Sequence, residues 1–222
     1  GPVVAIGHSM GAVVALRAAL REPALFLALV LLDPVLFTRA RILAWRLRRR
    51  LGLRHRLHEA IRRAEKRRRV FGSVEEVLAA YRPHPRFGQL TDDRLMQVVQ
   101  GVVQSKHGHV ELRYNPSWES RIYATAVFDD GDLWTGLHRL SVATLIIRGA
   151  NSDTLTQGAC SAAQAANTRI QVATVEHATH LVPFERPLEV RSLAQAFLRV
   201  SLAGRRAGHG VAAPDHARLG AA

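Results

Sequence analysis

Gly1-Pro2-Val3-Val4-Ala5-Ile6-Gly7-His8-Ser9-Met10-Gly11 opens the chain, and its reading decides the fold. An apolar run, Val3 to Ile6, stops abruptly at Gly7, and a stretch of small and apolar residues at helical spacing begins just after Ser9. The order is strand, sharp turn, helix, with a serine at the apex. The pattern G-x-S-x-G in that setting is a nucleophile elbow. A glycine-rich βα turn that does no chemistry would share the bare pattern, but the flanking strand and helix favour the elbow. The serine backbone of such a turn is strained, and Gly7 and Gly11 are expected where neighbouring backbone passes too close for a Cβ. His8, the variable residue of the elbow, is expected to line the floor of a pocket.

Outward from the elbow, Ala12 to Arg21 reads as a helix closed by Pro23. Leu27 to Leu32 is a continuous apolar run ending in Asp33-Pro34, the pattern of a buried parallel strand. Two apolar strands joined by a helix make one βαβ unit. The alternation resumes near Asp132. A helix face (Leu133, Trp134, Leu137, Leu140) leads to a strand over Val142 to Ile147, and then to the loop Arg148-Gly149-Ala150-Asn151-Ser152-Asp153. A small-residue helix over Thr154 to Ala166 follows, then a strand over Ile170 to Val175, a loop with His177 and His180, and a last helix from Pro187. The fold class is α/β with a parallel sheet.

Residues 36–131 break this rhythm and read as a helical insertion. Leu53, Leu57, Ile61 and Ala64 share one helix face, and Gly52 divides the stretch into two helices. Ser73 with Glu76 forms a capping box, and Thr91-Asp92-Asp93 caps a further helix with carboxylates at its positive end. Asp129, Asp130 and Asp132 read as a solvated loop and cap. The expected organisation is core over 1–35, cap over 36–131, core over 132–202 and a disordered tail over 203–222.

Of 222 residues, 48% are hydrophobic and 22% charged, which suits a globular chain. The longest apolar candidate, Ala24 to Phe37, is interrupted by Asp33 and Pro34 and is too short to span a bilayer. A single cysteine, Cys160, excludes an internal disulfide, and the eleven histidines show no metal-ligand spacing. No metal or other cofactor is expected. Nearly all of the net charge of +13 sits between Arg39 and Arg69, where thirteen arginines and Lys66 face only Glu59 and Glu65. Sparse aromatics and the lack of a nucleic-acid motif argue against nucleic acid as the partner. A solvated cap face is the simpler reading. A membrane surface, or a pocket mouth biased toward acidic or amphiphilic substrates, are the alternatives.

A serine hydroxyl needs an adjacent base, and that base needs an orienting acid. In open parallel sheets functional residues collect beyond the carboxyl ends of strands. Asp153 and His180 lie there, after Ile147 and Val175, on the edge that carries Ser9. The chain order Ser9, Asp153, His180 is that of the α/β-hydrolases. His177 competes for the base and Asp33 for the acid. Asp33 also reads as a turn residue beside Pro34.

Three stretches together resemble the α/β-hydrolase superfamily, more narrowly its capped, esterase-like members. They are Val4 to Pro34, Thr144-Leu-Ile-Ile-Arg-Gly-Ala-Asn-Ser-Asp153, and His177-Ala-Thr-His180-Leu-Val-Pro-Phe-Glu-Arg-Pro187. The resemblance implies Ser9 as nucleophile, His180 as general base, Asp153 as orienting acid and the Met10 N–H as an oxyanion donor. It implies a cofactor-free serine hydrolase acting on an apolar or amphiphilic ester or related carbonyl substrate. C–C bond hydrolases, lactonases and haloperoxidase-like proteins share the same triad. Family members carry further strands before the elbow and a second oxyanion donor on the loop after the third. These are expected upstream of Gly1, so this stretch reads as part of a longer, cytoplasmic protein, with little activity in isolation. The competing reading is an inactive hydrolase-like fragment whose arginine-rich cap binds anions. Phe37, Trp118 and Tyr123 are candidate pocket walls by location. Oligomeric state is not legible.

Overall fold

The computed structural model describes residues 1–52, 56–125 and 131–208. Asp129 and Asp130 lie outside the described residues, as do 209–222 and the Leu53 and Leu57 side chains of the expected helix face.

Four parallel strands form the core sheet in the order β1-β2-β6-β7, with β1 Val3–His8, β2 Phe26–Leu32, β6 Ala143–Gly149 and β7 Ile170–Val175. Helix α1 (Met10–Arg21) crosses from β1 to its neighbour β2, as the βαβ reading requires. The inner strands are apolar on both faces because both faces are covered. Alternation along β2 sorts its side chains. Leu29 and Leu31 join Ile146, Leu16 and Ala159 on the face covered by α1 and by α8 (Gln157–Ala166). Ala28, Val30 and Leu32 join Leu145, Ile147 and Phe197 on the face covered by α9 (Pro187–Gly208). That last helix continues six residues into the stretch expected as a disordered tail.

The insertion is mainly helical, as expected, and carries a small sheet as well. Helices α2 (Arg39–Arg50), α3 (Arg56–Glu65), α4 (Val74–Tyr81), α5 (Asp92–Val102) and α6 (Pro116–Thr125) are joined by a three-stranded antiparallel sheet ordered β3-β5-β4. Its strands are Val70–Phe71, Val103–Lys106 and His109–Leu112. His107 and Gly108, at φ 49° and 78°, make the two-residue turn whose twist matches a hairpin. The hairpin is short and follows α5 without a break, so helical spacing masks the alternation of Val103 to Leu112.

Both N-caps form, with the Glu76 carboxylate accepting the Gly72 N–H at 2.6 Å. The amide N–H of Glu76 donates to Ser73 Oγ at 3.2 Å, and that of Arg94 to Thr91 Oγ1 at 3.4 Å. Phe71, Val77, Leu95, Val99 and Val110 build a separate cap core, which also takes in Leu181 from the loop after β7. Ile42 of α2 packs instead with the main core, beside Leu133 and Trp134 of the short helix α7 (Gly131–Gly136). Among the described residues no helix is long and apolar enough to cross a membrane.

Candidate active site

The elbow is built by close approach. A Cβ on Gly7 would lie 2.6 Å from the Gly11 carbonyl oxygen and 2.7 Å from the Ala12 nitrogen, so β1 can turn into α1 only with glycine there. Gly11, expected to be equally crowded, has nothing within 4 Å of its own Cβ direction. Ser9 adopts φ 56°, ψ −119°, a conformation costly for a residue with a side chain. Its amide N–H donates to the Leu32 carbonyl at 2.9 Å, which fixes the turn to the end of the next strand. Met10 begins α1, and the first amides of a helix have no partner within it. Its N–H therefore lies at the positive end of the helix dipole, beside the serine.

Short polar distances join three strand ends. Ser9 Oγ and His180 Nε2 are 2.9 Å apart, and His180 Nδ1 lies 2.8 Å from Asp33 Oδ1. Asp33 is fully buried and His180 nearly so. The carboxylate contacting the histidine is thus Asp33, not Asp153. Asp153 has a side chain 74% exposed and sits 3.6 Å from Arg86 Nη2. Register explains the difference. Strand β2 lies directly beside the elbow strand, with His8 opposite Leu32, so the residue after Leu32 faces Ser9. Strand β6 is one position further away, and its loop carries Asp153 out to solvent.

That loop still supports the site. Gly149 N–H donates to Asp33 Oδ2 at 2.9 Å, and the Ser152 hydroxyl donates to Oδ1 at 2.6 Å. With His180, three donors hold one carboxylate in a single orientation. A Cβ on Gly149 would meet the Thr179 carbonyl oxygen at 2.2 Å, so this glycine lets the loop after β6 lie against the histidine loop. Neither Ser152 nor Gly149 stands out in sequence, because their roles depend on which strand supplies the acid.

The histidine loop is fastened from two sides. Buried Glu185 receives the Thr179 N–H and hydroxyl, each at 2.6 Å. From the cap, Arg94 donates to the carbonyls of Phe184 and Glu185 at 3.0 and 2.6 Å. His8 Nε2 and the His180 carbonyl oxygen are 2.8 Å apart, and the two rings lie 5.0 Å from centre to centre. Burial holds the His8 pKa below its usual value, and because a carbonyl oxygen can only accept, the ring N–H donates that bond. His8 therefore braces the histidine. His177, the rival base, is exposed at φ 54° and gives its carbonyl to Arg186.

Of the candidate wall residues, Trp118 is exposed. Phe37 packs on Trp45, and Tyr123 lines a cavity in the cap. Among the described residues no group of three or more His, Cys, Asp and Glu could share a metal ion.

A parallel sheet, a serine elbow and a histidine and aspartate at the adjoining strand ends define the α/β-hydrolase class. The alpha/beta hydrolase family profile matches residues 1–193, and the chain belongs to that family. Among curated protein sequences none matches it significantly. Similar solved structures include an E-2-(acetamidomethylene)succinate hydrolase, 18% identical with TM-score 0.68, the match covering 88% of this chain and 66% of that one. The peroxisomal α/β-hydrolase Lpx1 of Saccharomyces cerevisiae is 20% identical with TM-score 0.70, covering 90% and 53%. An esterase of M. tuberculosis is 20% identical with TM-score 0.65, covering 88% and 62%. The chain thus spans between about half and two thirds of the length of these proteins, and the likeness is one of fold.

Proposed function

We propose that the protein is a serine hydrolase that works by acyl transfer on a carboxylic ester or related carbonyl substrate, through Ser9, His180 and Asp33. The observation that carries this reading is the unbroken path from Ser9 Oγ to His180 Nε2 at 2.9 Å and from His180 Nδ1 to Asp33 Oδ1 at 2.8 Å. His180 takes the Ser9 proton as Oγ attacks the carbonyl carbon, and the electron pair of the C=O moves onto oxygen. The Met10 N–H meets that oxyanion, aided by the helix dipole. Collapse expels the alcohol, which takes its proton from His180, and leaves the acyl group on Ser9. Water then attacks the acyl-serine, giving a proton to His180, and collapse passes that proton to Ser9 Oγ as the acid leaves. Asp33 keeps the imidazole in the tautomer whose Nε2 can accept, and stabilises the cation formed at each step.

Labelling with a fluorophosphonate probe tests the reading. The protein should be modified at Ser9, and Ser9→Ala should abolish the signal. Labelling that persists in Ser9→Ala refutes the assignment.

A further inference from the structure

The cap holds a half-open cavity of about 490 Å³ that acyl transfer at Ser9 does not by itself require. Arg63, Arg67, Arg68 and Arg86 line it, together with Glu119 and Tyr123. Arg67 pairs with Glu119 at 2.5 Å, and Arg68 with Glu76 at 2.5 Å and with the Val70 carbonyl at 2.6 Å. Arg86 reaches Asp153 only at 3.6 Å. A guanidinium has five N–H donors, so among the described residues these bonds leave donors on Arg67, Arg68 and Arg86 for an incoming acceptor.

Glu119 is itself engaged, since its second oxygen receives the Tyr123 hydroxyl at 2.9 Å. Burial, and then the charges of Arg86, Arg67 and Arg63, hold the His84 pKa below its usual value. Beside the arginines, the rings of Tyr81 and Phe87 stack 5.2 Å apart at 6°, an apolar wall fit for a hydrocarbon chain. Arg86 connects this cavity to the candidate active site: its Nη2 lies 3.6 Å from Asp153 Oδ2, and the preceding residue, Ser152, donates to Asp33 beside His180.

We infer that this cavity receives a carboxylate of the substrate, so that the protein acts on acyl compounds whose far end is anionic while their ester or related carbonyl lies at Ser9. The inference rests on the acyl-transfer reading above and names its substrate class. Planar guanidinium forks match a carboxylate in geometry as well as charge. The exposed Arg86–Asp153 pair is loose enough to open at little cost.

Binding tests it without turnover. In Ser9→Ala, titration calorimetry compares the para-nitrophenyl monoester of glutaric acid with para-nitrophenyl pentanoate, which has the same chain length and no charge. The anionic ester should bind at least about 10-fold tighter at low salt, the range of a charge-assisted contact. The ratio should fall toward one at high salt, and also in Ser9→Ala carrying Arg67→Gln and Arg86→Gln. Removing the same charge from the exposed surface, with Arg139→Gln and Arg191→Gln, should leave the ratio intact.

Equal affinities, undetectable binding of the anionic ester, or a preference that survives Arg67→Gln with Arg86→Gln would overturn the inference. Should that double variant fail to fold, the salt dependence of the ratio in Ser9→Ala decides alone. A salt-insensitive ratio overturns the inference. An anionic preference with no fluorophosphonate labelling would sink the acyl-transfer reading and leave the anion site standing. Labelling without the preference would do the reverse.

Discussion

Replacing Asp33 by Asn, with Asp153→Asn beside it, separates the two candidate acids. In the native site Asp33 Oδ2 accepts the Gly149 N–H, and Oδ1 accepts from Ser152 and His180. An asparagine must keep its oxygen toward Gly149, because that backbone donor cannot turn. Its NH₂ group then faces Ser152 and His180. The serine hydroxyl can rotate and accept. The imidazole can accept at Nδ1 only by moving its proton to Nε2, the atom 2.9 Å from Ser9 Oγ. The base is then occupied, and the imidazolium has lost its counter-charge. A wrong-tautomer substitution of this kind costs about 10⁴ in kcat, or about 5.5 kcal/mol of barrier. Asp153→Asn removes only an exposed ion pair worth at most about 1 kcal/mol, so less than about a fivefold change is expected. Steady-state hydrolysis of a para-nitrophenyl ester across neutral pH reads both. A collapse of kcat in Asp153→Asn with activity kept in Asp33→Asn would refute this reasoning.

Gly149→Ala forces a methyl to within 2.2 Å of a backbone oxygen of the histidine loop, so neither side can yield cheaply. A loss of about 3 kcal/mol is expected, seen as a melting temperature lower by about 6–12 °C, together with loss of labelling at Ser9. Cys160 is buried, and burial pushes its thiol up to about 11. It should resist alkylation by iodoacetamide at pH 8 in the folded protein and react once urea unfolds it. Burial, with Glu119 beside it, lifts the Tyr123 phenol from 10.0 to about 12. Tyr123 and Cys160 both hold protons more tightly folded than unfolded. Their contribution to stability is therefore intact below about pH 9 and falls as pH rises from 9 to 12, which urea midpoints measured across that window should follow.

Much of the site was legible in sequence because local rules govern it. Gly7 and Ser9 declare an elbow through spacing and steric need alone, the apolar runs of β2 and β6 through burial on both faces, and Ser73 and Thr91 through their caps. His180 was reachable too, from its position beyond a strand and the residues that follow it. The acid was not. Asp33 and Asp153 both stand after apolar strands, and nothing local tells which of the two carboxylates meets the histidine. Pairing is a non-local property, and the register of Leu32 against His8 brings Asp33 to the histidine while the longer loop after β6 carries Asp153 into solvent.

The same limit explains the rest. The arginine block announced its charge, but its focus into a cavity depends on Glu119, Tyr123 and Arg86 arriving from distant segments. The cap hairpin was hidden because Val103 to Leu112 follows a helix of similar apolar content, and only its pairing with Val70 and Phe71 makes it a sheet. By itself, then, the sequence determined the elements and the elbow with its serine, since each follows from forces acting within a few residues. Only the tertiary structure decided which carboxylate meets His180, the bracing of the histidine loop by His8 and Glu185, and the gathering of positive charge, because each needs groups far apart in the chain to meet.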